Sequence, residues 1–167
     1  MTHRLTIGID PGLSGAIAFL ADGEFAHVAD MPTAGRGKAG RQVVNCAALA
    51  AMLREHLAAY PGASVIAAVE QVGAMPKQGL SSTFRFGESC GAVAGVLAAL
   101  RIPVIRPAPQ VWKRSFGLIG AEKDAARGVA IDRFPDAPMA RKRDHGRADA
   151  LLIALWAYRT EAIEDCA

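Results

Sequence analysis

The sequence predicts one α/β domain of five short strands, with helices following the third. Three observations carry that prediction. Apolar runs of strand length stand at 4–10, 15–21 and 65–69, an apolar stripe at three- and four-residue spacing lies between them, and turn residues mark most junctions. With 167 residues, 51% of them hydrophobic, the chain can fill one core and has little left for a second, so a single domain over 1–167 is expected.

Residues 4–10 and 15–21 flank Pro11-Gly12-Leu13-Ser14-Gly15, which is turn chemistry, so they read as a hairpin, and Phe25–Met31 reads as a third strand. The Gly-, Lys- and Arg-rich stretch Thr33–Arg41 has no apolar period and is expected to be a mobile loop. Asn45 is placed to cap a helix whose stripe is Leu49, Met52, Leu53 and Leu57 and which ends before Pro61-Gly62. Val65–Val69 is unbroken in its apolarity, the pattern of a strand covered on both faces, and Gly73–Ser82 follows as a loop. A helix is expected from about Thr83 to Leu100, with Gly87, Gly91 and Gly95 recurring every fourth residue beside Ala94 and Ala98. That small-residue face suits either close packing on the chain's own sheet or a homodimer contact. Ile102–Arg106 is the fifth strand, and helices at about 109–116, 122–134 and 145–160 complete a βββαβαβα order.

A net charge of +3 and a pI near 9.0 are compatible with an anionic partner without demanding one. Cys46, Cys90 and Cys166 are odd in number and widely spaced, which argues against a disulfide framework or a zinc site. No run reaches membrane-spanning length and no secretory leader is evident, so a cytoplasmic protein is expected.

Chemistry is carried by acidic residues at element ends. Asp10 closes the first apolar run and Glu70 the fourth, while Asp144 and His145 open the last helix with Asp149 one turn on. Asp-Pro-Gly is also an ordinary turn, and acids in a first helical turn are favoured by the helix dipole alone. Glu70 is harder to place as scaffold, because an ionised carboxylate at the end of a buried strand needs a partner or a cation. Carboxylates distant in sequence and each at the end of a buried element are how a small fold assembles an oxygen-rich Mg²⁺ site. Two such ions, about 3.5–4 Å apart, support in-line phosphodiester hydrolysis. His145 and Asp149, four apart, share a helix face; His145 is a candidate ligand or general base, and Asp144 a cap or ligand. Lys77, Arg85, Lys113, Lys123, Arg143 and Arg147 lie close in sequence to these positions and are candidate phosphate contacts. Phe84, Phe86 and Trp112 are candidate stacking residues, and Phe116 is expected in the core.

Gly8-Ile-Asp-Pro-Gly12, Val69-Glu70-Gln71 and Ala148-Asp149-Ala-Leu-Leu-Ile-Ala154 resemble, in order, the first-strand, second acidic and last-helix motifs of the RuvC family of Holliday junction resolvases. Pro109-Gln110-Val111 with Gly120-Ala121-Glu122-Lys123 is similar to the family's segment before its penultimate helix. The resemblance implies an RNase H-like fold with a mixed five-stranded sheet flanked by helices. It implies a crossover junction endodeoxyribonuclease that uses Mg²⁺ or Mn²⁺, two ions per site, on four-way junction DNA, and a homodimer through the Gly87/Gly91/Gly95 helix. Asp10, Glu70 and Asp149 match family metal ligands. The position three before Asp149, acidic in many members, is Gly146 here, so His145 or Asp144 has to substitute. Lys123 matches a basic family position, and a second falls on Trp112 with Lys113 beside it. The residue after the second motif that is often aromatic is Gly73, which passes any base-wedging role to Met75 or Phe84. Rival readings are a non-catalytic junction-binding protein of the same fold, and an RNase H-like nuclease acting on other branched DNA or on RNA. An ATP-binding protein of the actin and sugar-kinase type needs two such lobes where this chain has one.

Overall fold

A computed structural model of the chain describes residues 3–37, 41–73, 79–122 and 124–164. In chain order the elements are β1 (Arg4–Asp10), β2 (Ala16–Ala21), β3 (Glu24–Asp30), β4 (Thr33–Arg36), β5 (Arg41–Val44), α1 (Cys46–Ala59), β6 (Ser64–Val69), α2 (Leu80–Ala99), β7 (Val104–Ile105), α3 (Pro109–Ser115), α4 (Ala125–Arg133) and α5 (His145–Glu164). Five strands form one sheet in the order β3-β2-β1-β6-β7. Hairpin pairing makes β3, β2 and β1 antiparallel, whereas β6 and β7 return through helices and run parallel to β1. The mixed five-stranded sheet is as expected.

The two-residue period of β1 sorts its side chains. Leu5, Ile7 and Ile9 enter a core with Leu49 and Leu53 of α1 and Val93 and Leu97 of α2. Thr6, Gly8 and Asp10 therefore face α5, whose Leu151, Leu152 and Ile153 belong to a second core with Trp112, Ala18 and Leu20. At Gly8 a Cβ would lie 2.0 Å from the Ala150 carbonyl oxygen, so glycine is what lets the α5 backbone rest directly on β1. Asn45 caps α1 as its sequence predicts, accepting from Ala48 N at 3.1 Å.

Three expectations are corrected. Thr33–Arg41 is not simply a loop, because β4 and β5 pair antiparallel as a separate two-stranded ribbon. A ribbon that buries little needs no apolar alternation and so escapes a periodicity reading. The α2 helix starts at Leu80, three residues early, leaving Leu80 90% and Phe84 72% exposed. Finally, of the two readings of the glycine face, packing on the chain's own sheet fails. A Cβ at Gly87, Gly91 or Gly95 meets nothing within 4 Å, so among the described residues that face is uncovered.

Candidate acidic site

Register brings the first two acids together. Ile9 is paired with Val69 in the parallel β1–β6 ladder, and Glu70 N donates to Ile9 O at 3.1 Å, so Asp10 and Glu70 leave the sheet side by side at its carboxyl edge. Asp149 comes from the other direction: it precedes Ala150, whose carbonyl seats on Gly8, two residues before Asp10. Two of these carboxyls are raised. Burial, then the Glu70 charge, pushes the Asp10 carboxyl up to about 6, against a backbone N–H from Gly12 and the Lys113 ammonium. Burial, then the Asp10 charge, pushes Asp149 up to about 7, again against Lys113. The Lys113 ammonium is thus the cation that Asp10 and Asp149 share among the described residues.

The turn over Asp10 is equally tight. A Cβ on Gly15 would lie 2.1 Å from Asp10 O and 2.9 Å from its carboxyl carbon, and a Cβ on Gly146 would lie 2.6 Å from Ser14 O and 2.9 Å from Gly15 Cα. The β1–β2 turn therefore sits against the first turn of α5, backbone to backbone, and an acidic side chain at 146 has no room. His145 takes the space beside it. With Asp149, Lys113 and Glu122 it lines a cavity of about 260 Å³, as the helical spacing of His145 and Asp149 predicts. Among the described residues its Nδ1 is buried without a hydrogen-bond partner, with Asp124 Oδ1 at 3.8 Å.

Asp144 is not brought to this cluster. It is buried, caps α5 only through its backbone (Ala148 N to Asp144 O, 3.1 Å), and turns its carboxylate onto Arg141, taking the backbone N–H at 2.9 Å and the guanidinium at 2.6 and 2.9 Å. That guanidinium holds its carboxyl below the usual range. Arg147 is committed likewise: it forks onto both oxygens of Asp30 at the end of β3 and donates to Pro138 O, so its head is tied to the scaffold. Arg85 and Arg143 are exposed and Lys113 is half-buried at the acids, while Lys77, Lys123 and Met75 lie outside the described residues. Arg85 borders two cavities of about 290 Å³ each, one with Arg41 and Phe84, the other with Gly12, Ser14 and Phe86 beside the Asp10 turn.

Sequence reasoning missed the role of Trp112. It is fully buried, and its indole Nε1–H donates to Glu70 Oε1 at 2.9 Å while Lys113 Nζ lies 5.2 Å from its ring centroid. Core burial settles against a stacking role for it. Phe116, expected in the core, is half-buried against it, with Arg159 over the ring at 5.6 Å.

Oxygen donors from three elements, with an imidazole nearby, are a set that hard divalent cations take. Among the described residues no three His, Cys, Asp or Glu side chains stand in a ready metal cage.

No protein-family model matches the chain. A curated protein that it resembles is the Holliday junction resolvase MOC1, chloroplastic, of Chlamydomonas reinhardtii, 39% identical over 122 residues. The match takes in 71% of this chain and 14% of that longer protein. Among solved structures, RuvC of Thermus thermophilus in complex with a Holliday junction substrate superposes with a TM-score of 0.64 at 21% identity. It covers 95% of this chain and 96% of its own. A second Thermus thermophilus RuvC structure gives 0.57 with the same identity and coverage. The fold is thus that of RuvC, RNase H-like as the motifs imply, and the motif resemblance is met by a relative named for junction resolution.

Proposed function

We propose that this chain is a structure-selective endodeoxyribonuclease that resolves four-way DNA junctions by metal-dependent phosphodiester hydrolysis. The observation that carries the reading is the meeting of Asp10, Glu70 and Asp149, three carboxylates from the end of β1, from just after β6 and from α5, with burial and neighbouring carboxylate charge raising the first and last. A structural ion pair would have matched them with cations, as Asp30 and Asp144 are matched.

Asp10, Glu70 and Asp149 would hold Mg²⁺ or Mn²⁺, two ions per site, with His145 as the fourth ligand or as a base. Bound there, the ions supply an activated water and charge neutralisation at the leaving oxygen. Lys113 adds a fixed positive charge beside the scissile phosphate, and Arg85 and Arg143 contact neighbouring phosphates. Exposed Phe84, with Arg85 and Arg41 at the same cavity, offers a stacking surface for an opened base. A junction presents two strands to be cut, and the open Gly87/Gly91/Gly95 face of α2 is the surface through which two copies would pair. No described helix is long and apolar enough to cross a membrane, and Cys46 and Cys90 are free thiols, which fits work in a reducing compartment such as cytoplasm.

The test is cleavage of a synthetic four-way junction against linear duplex of the same sequence, with Mg²⁺ and with chelator. Symmetric, metal-dependent nicking of the junction alone is the expected result. Tight binding without a cut would replace the reading by a junction-binding protein, and cutting of other branched DNA or RNA would replace its substrate.

A further inference from the structure

We infer that Trp112 is a positioning residue for the metal-holding carboxylate of Glu70, and that its indole reports whether a divalent cation is bound there. This rests on the metal-dependent reading of the acidic site. Glu70 is half-buried at the strand end, where a glutamate with free torsions would spread over several rotamers or swing to the Lys113 ammonium. The Nε1–H of Trp112 takes one lone pair of Oε1 at 2.9 Å and leaves Oε2 and the remaining lone pair of Oε1 for a cation. The donor itself cannot drift. Trp112 is the largest fully buried side chain, in the core with α5, and Ser115 Oγ donates to its carbonyl at 2.7 Å. Its helix is tethered to the same strand end, because Gln71 N donates to Pro107 O at 2.8 Å. The ring's face also carries Lys113 at 5.2 Å, so one indole holds an anion at its edge and a cation over its plane. Hydrogen-bond partners behind metal-binding carboxylates commonly matter by about 10–100-fold in metal affinity.

The experiment uses the full chain. Trp112→Phe removes the indole donor together with part of the buried ring, so Mn²⁺ and Mg²⁺ binding is read by calorimetry, with thermal unfolding as the control for folding. About tenfold weaker binding with the fold retained is expected. Because that loss of volume weakens the core, a second readout leaves Trp112 in place: in Trp156→Phe protein, which keeps Trp112 as its single indole, Mg²⁺ should shift the emission with the calorimetric midpoint. Glu70→Gln should abolish that response. If the unaltered protein binds metal and cuts junctions, but Trp112→Phe binds metal equally well or the emission stays still on Mg²⁺ saturation, this inference falls alone. If the unaltered protein binds no divalent metal, it falls together with the nuclease reading.

Discussion

Asp144, just before α5, and Asp149, one turn into it, are carboxylates treated in opposite ways. Asp144 and Asp30, on one side, are each matched to a guanidinium, Arg141 and Arg147, which lower their carboxyl pKa values. Asp149, five residues further, shares its surroundings with Asp10 and Glu70 and is raised. What separates them is the availability of cations: arginines are matched to Asp30 and Asp144, whereas Asp10, Glu70 and Asp149 stand together with carboxylates in excess.

The comparison breaks first on the unpaired side. Asp10→Asn or Glu70→Gln should reduce junction cleavage by about a thousandfold or more, while the junction dissociation constant stays within about threefold, because phosphate contacts supply most of the affinity. Single-turnover cleavage together with a gel-shift titration measures both, and parallel loss of binding would make these residues scaffold like Asp144.

Asp149 gives a test that needs no substrate. Its carboxyl and that of Asp10 bind protons more tightly in the folded chain (about 7 and about 6) than at the ordinary 3.8. Their contribution to stability is therefore complete below about pH 4 and is lost as pH rises through 6 and 7 in metal-free protein. Asp149→Asn should raise metal-free stability at pH 8 by on the order of 3 kcal/mol and abolish the further stabilisation that millimolar Mg²⁺ gives the parent chain. Thermal unfolding at pH 5 and pH 8, with chelator and with Mg²⁺, reads every term. The paired side should do the opposite: Asp144→Ala empties a buried, hydrogen-bonded carboxylate site at the start of α5 and should cost roughly 2 kcal/mol at neutral pH with Mg²⁺ affinity unchanged.

How much of this division was legible in the sequence follows from the range of the interactions. That Asp10 and Glu70 stand at strand ends was readable because each closes an apolar run, and strand period is a property of short segments. His145 and Asp149 were readable together because helix geometry fixes a four-residue face. Asp144 was not, since a helix-opening carboxylate can turn inward or back, and its direction depends on Arg141 across a turn. Arg147 looked like a phosphate contact for the same reason: its partner, Asp30, lies 117 residues away. The Trp112–Glu70 bond spans 42 residues and joins a residue of the sequence's candidate base-stacking set to one of its ligand set. The β4–β5 ribbon was missed because it buries only its end, at Val44, too little to impose an alternating pattern.

The smallest effect sharpens the comparison on the cationic side. Arg143 and Arg147 are four residues apart and both basic, yet Arg143 is exposed and Arg147 holds the end of β3 through Asp30. Arg143→Ala should leave thermal stability unchanged and lower the salt dependence of junction binding by about one unit of log–log slope. Arg147→Ala should leave that slope unchanged and lower stability by about 1 kcal/mol, since the pair is half-exposed on the Asp30 side and partly screened. If both variants change the slope alike, the Asp30 pair opens when DNA binds, and the line between scaffold charge and functional charge runs through Arg147 rather than beside it.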